Sequence, residues 1–551
     1  MKPLKITAKC RIVTPMLSSG SDQARFEIRA TEVKAGLRFW WRAFQSLSQT
    51  GLFTAEASLF GSTASACPFE LRVHHSGKIQ TWEPGSAFSE NQSGNPAWET
   101  GIAYAFFSIT EPVKPNKPIR LKSENEDIRK PGRAVAKPGG RFEIRIHFVR
   151  LETPHRVGDL LCSLWLLENL GGIGGRSRRG AGCFEIESLT INDTSEKDAL
   201  HVPQLSVFLK NGVPAFHPSA DQKPEEFLNQ GLELILTRWK TTRRTLPVTY
   251  TAFDKNTSRI LVCRDLKNSG VGSAMEIMGT IGTYMKNYCH IFPYEEACQM
   301  HEALENNQEL PDGFTLEKAC RGLPIIYNFT RSIDNIYSGR LDKTYTATSV
   351  KCDSAGKPLL ENGRFQAGNG RRASPLLISC HQKGDDPYAV VCLFPAPLLP
   401  EDEKIWLKSS TGKSDKILSP PSFRFIEGLI FEKARFKRRS GELKQNSPLI
   451  DAFNRKFAIA PLKEISPPPP PPPPPLRSNQ IGSLENSLNR ARSLKRGDSF
   501  IVDSLMDEID RLFGEGKEDD SLRLVEALKE RLVELGIWEN HPRKFDIESY
   551  L

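Results

Sequence analysis

Residues 158–191 read GDLLCSLWLLENLGGIGGRSRRGAGCFEIESLTI. The apolar first part predicts a helix over residues 158–170, and Gly171 and Gly172 are suited to end it. The alternation of apolar and polar residues from Cys183 to Ile191 predicts a strand. The chain therefore passes from a buried helix to a half-buried strand through a loop rich in glycine and arginine.

The residues before this stretch also show the spacings that are typical of helices and strands. Residues 4–14 read as a strand, and Leu37, Trp40, Trp41 and Phe44 recur at spacings of three and four within a helix predicted over Ala30–Leu47. Residues 141–148 alternate as a strand. Strands and helices in this order predict an α+β class, arranged most economically as a ferredoxin-like β-α-β-β-α-β unit with insertions. The polar stretch from Lys114 to Lys137 is expected to be a mobile loop.

The length of 551 residues predicts about three folding units. We assign residues 1–200 to a first ferredoxin-like domain and residues 201–460 to a second one with a helical insert near 273–306. The strand-like stretches of the second domain are Pro247–Thr251, Arg259–Cys263, Leu323–Phe329, Pro375–Cys380 and Tyr388–Phe394.

A proline run marks the strongest boundary in the sequence. Pro467 to Pro475 is unbroken, which predicts a stiff polyproline II spacer within a proline-rich linker over residues 461–500. Residues 501–551 are predicted to form a short helical appendix of two amphipathic helices. Two such helices bury little surface alone, so we expect them to pack on something.

Composition excludes several classes of protein. No run of about 18 apolar residues is present and no secretory signal is recognisable, so we expect a cytoplasmic protein without a membrane contact. The eleven cysteines include no Cys-x-x-Cys pair, which argues against a zinc site and a disulfide framework. The formal net charge of +9 is modest, so clusters of basic residues carry the argument for a nucleic-acid partner.

The loop from Gly172 to Gly182 is the sharpest functional signal. Ser177 stands where a dinucleotide fingerprint needs its third glycine, and Gly180 is not followed by the Lys-Ser/Thr of a P-loop. Glycines without Cβ atoms let backbone N–H groups approach phosphate oxygens, and arginine side chains clasp phosphates. The predicted RNA-binding residues of the loop are Gly172, Gly174, Gly175, Arg176, Arg178, Arg179, Gly180 and Gly182. The alternative is a flexible, arginine-rich surface hairpin.

The first predicted helix carries a second basic signal. Lys34, Arg38 and Arg42 share one face, and the helix N-terminus adds a partial positive charge, so this ridge is a predicted RNA contact. A merely solvated face is the alternative. Trp40 and Trp41 lie on the apolar stripe and are predicted to be core residues. Arg371 and Arg372, which follow Gly-Asn-Gly, resemble the loop in miniature and are a third predicted contact.

These residues together resemble the RAMP superfamily of CRISPR proteins. The hallmark of that family is Gly-apolar-Gly, five residues and Gly-x-Gly, which Gly172 to Gly182 match throughout. Further motifs are similar to the first RAMP subunit of type III-B (Cmr) effector complexes: Thr14-Pro15, Glu27–Ala30, Lys34, Leu37–Ala43, Leu59–Gly61, Gly322–Ile325 and Arg371–Leu376.

The resemblance implies tandem ferredoxin-like (RRM-like) RAMP domains. It also implies a non-catalytic subunit that holds the 3′ end of the CRISPR RNA, helps to engage target RNA and contacts other subunits of the effector complex. On this interpretation the chain has no catalytic residue, no metal and no cofactor. The proline run and the helical appendix are not part of the family pattern.

Two other functional classes remain open from the sequence. Other RAMP proteins cut CRISPR RNA by acid-base chemistry with a histidine, and His147 or the His74-His75 pair would be candidates here. Asp22 could hold a metal, although an aspartate in a serine-rich loop is usually a turn residue. A scaffold that recruits a protein through its proline-rich tail is the third class.

Overall fold

The structure of the protein is a computed structural model. The structure describes these residues: 4–47, 49–88, 97–111, 118–125, 130–148, 154–209, 212–219, 221–241, 251–254, 257–263, 273–291, 300, 303–304, 309–310, 314–316, 319, 325–329, 343–361, 364–368, 373–384, 386–394, 397–409, 416–421, 434–437, 443–446, 483–494, 502, 505, 509, 518–535 and 538. The predicted strand at 247–250, the proline run, Arg371 and Arg372 lie outside these residues.

The chain contains both helices and antiparallel sheets, which confirms the predicted α+β class. The helices are α1 Ala30–Ala43, α2 Gln49–Phe60, α3 Ala97–Ala105, α4 Pro154–Leu170, α5 Glu196–Ala199, α6 Pro203–Leu209, α7 Pro224–Arg238, α8 Ala274–Ile291, α9 Ser483–Arg492 and α10 Glu518–Glu534. The strands are β1 Leu4–Ile12, β2 Phe69–His75, β3 Thr81–Trp82, β4 Glu124–Asn125, β5 Lys130–Pro131, β6 Val135–Ala136, β7 Arg141–Phe148, β8 Phe184–Ile191, β9 Thr194–Ser195, β10 Arg259–Cys263, β11 Ile325–Phe329, β12 Lys343–Lys351, β13 Leu360–Glu361, β14 Arg364–Phe365, β15 Leu376–Lys383, β16 Asp386–Leu393, β17 Glu403–Ser409, β18 Lys416–Leu418, β19 Ala434–Lys437 and β20 Leu443–Asn446.

The chain divides into two compact units, Met1–Leu462 and Lys463–Leu551. In the first unit, one antiparallel sheet has the strand order β2-β7-β1-β8-β9. Helix α1 lies between β1 and β2 in the chain, and α4 lies between β7 and β8. The main elements therefore run β-α-β-β-α-β, with the long insertion between β2 and β7.

Helix α4 is buried on every side. All its residues from Val157 to Leu170 are buried, as expected of a helix that is covered by other elements all round. It packs on α1 and β8 and also on β15 and β16. One hydrophobic core consequently joins residues of the first sheet, such as Ile144, to residues of the second half, such as Val390.

The second half contains a three-stranded antiparallel sheet with the order β10-β16-β15. Helix α8 follows β10 in the chain and packs on β15 and β16. This sheet and its helix therefore run β10-α8-β15-β16, with β11 to β14 between α8 and β15. A further antiparallel sheet has the order β11-β12-β17-β18 and a core of its own. The tandem ferredoxin-like arrangement and the domain boundaries of residues 1–200 and 201–460 stay predictions.

The stretch expected to be a mobile loop has a different structure where it is described. Strand β6 pairs with β3, and Ala136 also bridges to Met16. Ala134, Val135 and Ala136 are fully buried. Three small apolar residues in a row give too short a signal to be recognised as a strand among charged neighbours.

The second unit has its own core. Helices α9 and α10 pack on each other, and Leu488, Leu505 and Leu528 are among the residues of one buried apolar cluster. The expectation that the C-terminal helices need a packing partner is met within the unit itself.

The eight cysteines whose side chains the structure describes are free thiols, and all of them except Cys67 are buried. No described helix is long and apolar enough to cross a membrane.

Candidate nucleic-acid interface

The glycine-arginine loop folds back on the protein. Ser177–Arg179 form one turn of 3-10 helix, flanked by Arg176 at φ 64° and Gly180 at φ 82°. At Gly174, with φ 89°, a Cβ atom would stand 2.3 Å from the carbonyl oxygen of Leu17. The glycine is therefore needed for close approach to the protein's own backbone.

Several backbone N–H groups of the loop have partners within the protein. Gly175 donates to the Leu17 carbonyl at 2.7 Å, and Gly182 donates to the Pro15 carbonyl at 2.9 Å. Ile173 donates to the carbonyl of Gly182 at 2.9 Å. These N–H groups hold the loop in place, so the side chains of the loop have the larger part in any anion contact.

Arg178 points into the first unit. Its Nη1 donates to the Ser374 carbonyl at 2.6 Å and to Thr251 Oγ1 at 3.1 Å. Its guanidinium carbon lies 5.0 Å from the centre of the Phe39 ring in α1. Arg178 thus ties α1, the loop and the second half together, which is unlike a flexible surface hairpin.

Arg176 and Arg179 lie beside the end of α3 instead. The guanidinium carbon of Arg176 is 4.9 Å from the ring centre of Phe107, and that of Arg179 is 5.7 Å from the ring centres of both Phe107 and Tyr104. Arg176 also donates to the hydroxyl of Ser108. The two guanidinium groups therefore both lie against the Phe107 ring, at distances typical of cation-π contacts.

The two charged groups that shift the pKa of Arg176 are both cations. Burial lowers the pKa of Arg176 to about 10, and the nearby guanidinium groups of Arg179 and Arg133 act in the same direction. Arg133 is held by Gln23, whose Oε1 accepts from its Nε at 3.2 Å. A cation whose pKa is depressed by two neighbouring cations marks a place where a bound anion would be stabilised.

The predicted basic ridge of Lys34, Arg38 and Arg42 does not lie on the face of α1 that contacts the loop through Phe39. Arg38 Nε donates to Glu56 Oε1 in α2 at 2.6 Å, and Arg42 Nε lies 3.6 Å from Glu56 Oε2. The Lys34 amine lies 5.6 Å from the ring centre of Phe69. The buried carboxylate of Glu56 offsets part of this positive charge.

The face of α1 that turns toward the loop borders a cleft of about 270 Å³. Its lining includes Gly36, Phe39 and Arg178, together with the end of α4. Glu32, in the first turn of α1, also lines the cleft and accepts a hydrogen bond from the Ser18 hydroxyl. A carboxylate at this position opposes the phosphate that the helix N-terminus was expected to attract.

The structure therefore brings together Arg176 and Arg179 of the predicted site and separates them from Arg178 and from the α1 ridge. Sequence reasoning missed Tyr104, Phe107 and Arg133. Tyr104 and Phe107 lie at the end of α3, where the sequence has no apolar periodicity that would show which aromatic residue is exposed. Arg133 lies in the stretch that was expected to be a mobile loop. Trp40 and Trp41 are buried, as predicted.

The histidines considered for nuclease chemistry lie in strands β2 and β7, and Nε2 of His147 is buried without a hydrogen-bond partner in the part of the chain that the structure describes. His147 lies in β7 between Lys5 of β1 and Glu70 of β2. Asp22 accepts the N–H of Ala24 at 3.0 Å, as a turn residue does. Among the described residues, no group of histidine, cysteine, aspartate and glutamate side chains could hold a metal ion.

Comparison with known proteins identifies the part of the chain that carries this site. A family model for the RAMP superfamily matches residues 9–185. This segment is similar to the RAMP superfamily. It contains the loop and all five side chains of the aromatic and basic cluster, Tyr104, Phe107, Arg133, Arg176 and Arg179.

Individual relatives of the RAMP segment are distant. The CRISPR system Cmr subunit Cmr1-2 of Pyrococcus furiosus is 26% identical over 189 residues, which are 32% of this chain and 92% of the relative. The crystal structure of Cmr1 from Pyrococcus furiosus, apo form, is 14% identical, with a TM-score of 0.42 over 76% of this chain and 99% of that chain. A chain of the type III-B Cmr-beta complex bound to cognate target RNA is 14% identical, with a TM-score of 0.34 over 71% and 96%.

Proposed function

We propose that this chain is a non-catalytic RNA-binding subunit of a type III-B CRISPR effector complex in the cytoplasm. Its partners are CRISPR RNA, target RNA and other subunits of the complex, and its place is the 3′ end of the CRISPR RNA. The similarity to a Cmr subunit supports the complex, and the RAMP segment supports the RNA. The predicted contacts at Lys34, Arg38, Arg42, Arg371 and Arg372 remain part of this proposal.

One observation carries the proposal of RNA binding. Arg176 is half-buried, and the charged groups that shift its pKa are the cations Arg133 and Arg179. Bringing like charges together in a partly buried place costs free energy in the free protein. A phosphate diester between the guanidinium groups offsets that cost without any recognition of base sequence.

The test is RNA binding at several salt concentrations. Purified full-length protein and a labelled single-stranded CRISPR RNA are titrated, and the slope of log affinity against log salt is measured. Arg176→Ala with Arg179→Ala should weaken binding and lower the magnitude of the slope by up to about 1.4, since each lost contact to a single strand removes about 0.7.

Arg141→Ala is the matched control. It removes one surface arginine, as each half of the double variant does, but Arg141 forms a bidentate pair with Glu187, with Nε and Nη2 at 2.8 and 2.9 Å from the carboxylate oxygens. Its loss should leave affinity and slope nearly unchanged. If the double variant behaves like the control, Arg176 and Arg179 do not bind the RNA.

The absence of catalysis is tested in the same preparation. Incubation of the protein with labelled CRISPR RNA and a divalent metal should leave the RNA intact. A cut at a fixed position that disappears in His147→Ala would favour the nuclease alternative.

A further inference from the structure

Phe107 is an exposed aromatic ring in an unusual place. It directly follows Phe106, which is fully buried and packs on Phe88 with ring centres 5.5 Å apart. The Phe107 side chain is 58% exposed. Exposure of that size gives little burial energy to folding, so packing alone does not account for the ring.

The surroundings of Phe107 are basic. The guanidinium carbons of Arg176 and Arg179 lie 4.9 and 5.7 Å from its ring centre. Arg133 is close enough to Arg176 to act on its pKa. An exposed aromatic ring beside several cations is the combination with which proteins hold single-stranded nucleic acid, because bases stack on the ring while the cations follow the backbone.

The arginine forks add to the stacking surface. A guanidinium plane itself stacks on nucleobases as well as on aromatic side chains. Arg176 is fixed by its contact with Phe107 and by its hydrogen bond to Ser108. The order of these groups in the free protein lowers the entropy that binding would otherwise cost.

We propose that Phe107 and the guanidinium of Arg176 form a stacking platform for one unpaired nucleobase of the bound RNA. The adjoining phosphate lies among Arg133, Arg176 and Arg179. The inference rests on the proposed RNA-binding function and adds to it a base contact that does not read sequence. Bases inside a duplex have their faces covered by neighbouring pairs, so the platform selects single-stranded RNA.

The experiment compares Phe107→Ala with Phe53→Ala in the full-length chain. Phe53, in α2, is 69% exposed and is therefore a control of the same residue type with similar exposure. Phe107→Ala should weaken binding of single-stranded RNA by about 5- to 100-fold, the range for loss of one stacked base. The salt slope should stay unchanged, and Phe107→Trp should restore binding.

A second measurement separates stacking from mere positioning of the arginines. Single abasic nucleotides are placed in turn along the RNA. With the platform, one position makes the wild type as weak as Phe107→Ala, and on that RNA the Phe107→Ala substitution has no further effect. An equal loss on every abasic RNA means that Phe107 only positions the guanidinium groups, and it overturns the proposal.

The other outcomes are also decisive. If Phe107→Ala binds RNA as well as Phe53→Ala does, the platform is refuted while the proposed function stands. If it binds RNA normally but loses co-purification with another protein, Phe107 is a protein contact. If wild type does not bind RNA and Arg176→Ala with Arg179→Ala changes nothing, both proposals fail together.

Discussion

Three arginines of one short loop have different roles. Arg178 is turned inward to the Ser374 carbonyl, whereas Arg176 and Arg179 lie beside Phe107. The sequence predicts a basic loop correctly but does not indicate which side chain points where. The direction depends on the 3-10 turn and on the positive φ of Arg176, a backbone conformation that is uncommon for residues other than glycine.

Arg178 is expected to stabilise the fold. Arg178→Ala removes a charged donor from the Ser374 carbonyl and from Thr251, and it removes the contact with Phe39. The free energy of unfolding should fall by about 1.5–3 kcal/mol, the range for a hydrogen bond to a charged group. Chemical denaturation measures the change.

Arg176→Ala serves as the comparison in that experiment. Removing it takes away the contacts with Phe107 and Ser108 but relieves repulsion with Arg133 and Arg179, so the loss of stability should be smaller than for Arg178→Ala. An equal loss of stability in both variants would contradict the division of roles between the two arginines.

Glu168 in α4 predicts a pH dependence of stability. Burial raises the pKa of its carboxyl group well above the usual 4.5, although its Oε1 accepts the N–H of Ile186 at 2.8 Å. The folded protein retains this proton to higher pH than the unfolded chain does. The contribution of Glu168 to stability is therefore complete below pH 4.5 and is lost as pH rises toward the folded-state pKa.

Glu168→Gln isolates this contribution, because an amide cannot lose the proton. The free energy of unfolding of the variant relative to wild type should rise with pH above about 4.5, by at most about 1.4 kcal/mol per pH unit. Denaturation curves from pH 5 to 8 give the difference. A difference that is constant across this range would refute the assignment.

At the level of elements, the spacing of apolar residues predicts the presence of α1 and α4 correctly but predicts their first and last residues less accurately. Helix α1 was predicted over Ala30–Leu47 and ends at Ala43, and α4 begins at Pro154, four residues before the predicted start. The insertion between β2 and β7 was the least predictable part, since its strands are two residues long. Helix α3 and Phe107, which form part of the candidate site, belong to this insertion.

Helices α3 and α8 approach each other through glycine. A Cβ atom at Gly101 would stand 1.6 Å from the Gly279 carbonyl oxygen, and one at Gly282 would stand 2.3 Å from the Gly101 carbonyl oxygen. Gly101→Ala should therefore separate the two helices and shift Phe107 away from the arginines. We expect both lower thermal stability and weaker RNA binding.

Gly36→Ala is the control for that substitution. Its added Cβ would meet the end of the flexible Leu167 side chain at 2.9 Å rather than backbone, so the neighbour can move aside. Its effect should be the smaller one. If Gly101→Ala retains wild-type RNA affinity, the position of α3 does not control the site.

For the whole molecule, the sequence correctly predicts an α+β protein whose glycine-arginine loop joins a helix to a strand. It does not predict that α4 and its neighbours share one core with β15 and β16. Contacts between residues so far apart in the chain produce no recognisable spacing of apolar residues in the local sequence. In the C-terminal unit, α10 lies in the predicted helical appendix, whereas α9 lies in the stretch predicted to be a proline-rich linker.

Deletion of residues 463–551 tests the division into two units. The second unit has a separate apolar core, and the arginine cluster lies in the first. The truncated chain should therefore bind RNA within about twofold of wild type, while Arg176→Ala with Arg179→Ala weakens binding in both lengths. A large loss on truncation would show that the appendix takes part in RNA binding, and loss of a co-purifying protein alone would support the scaffold alternative.

The burial of α4 on all sides also has a consequence during synthesis. The helix ends at Leu170, but β16, which covers part of it, is complete only at Leu393, roughly 220 residues later. At about 5–20 residues per second, the ribosome takes about 10–45 s to synthesise the residues from the end of α4 to the end of β16. Throughout this interval a helix rich in apolar residues lacks part of its covering, so we expect the nascent chain to bind a chaperone at this stage of translation.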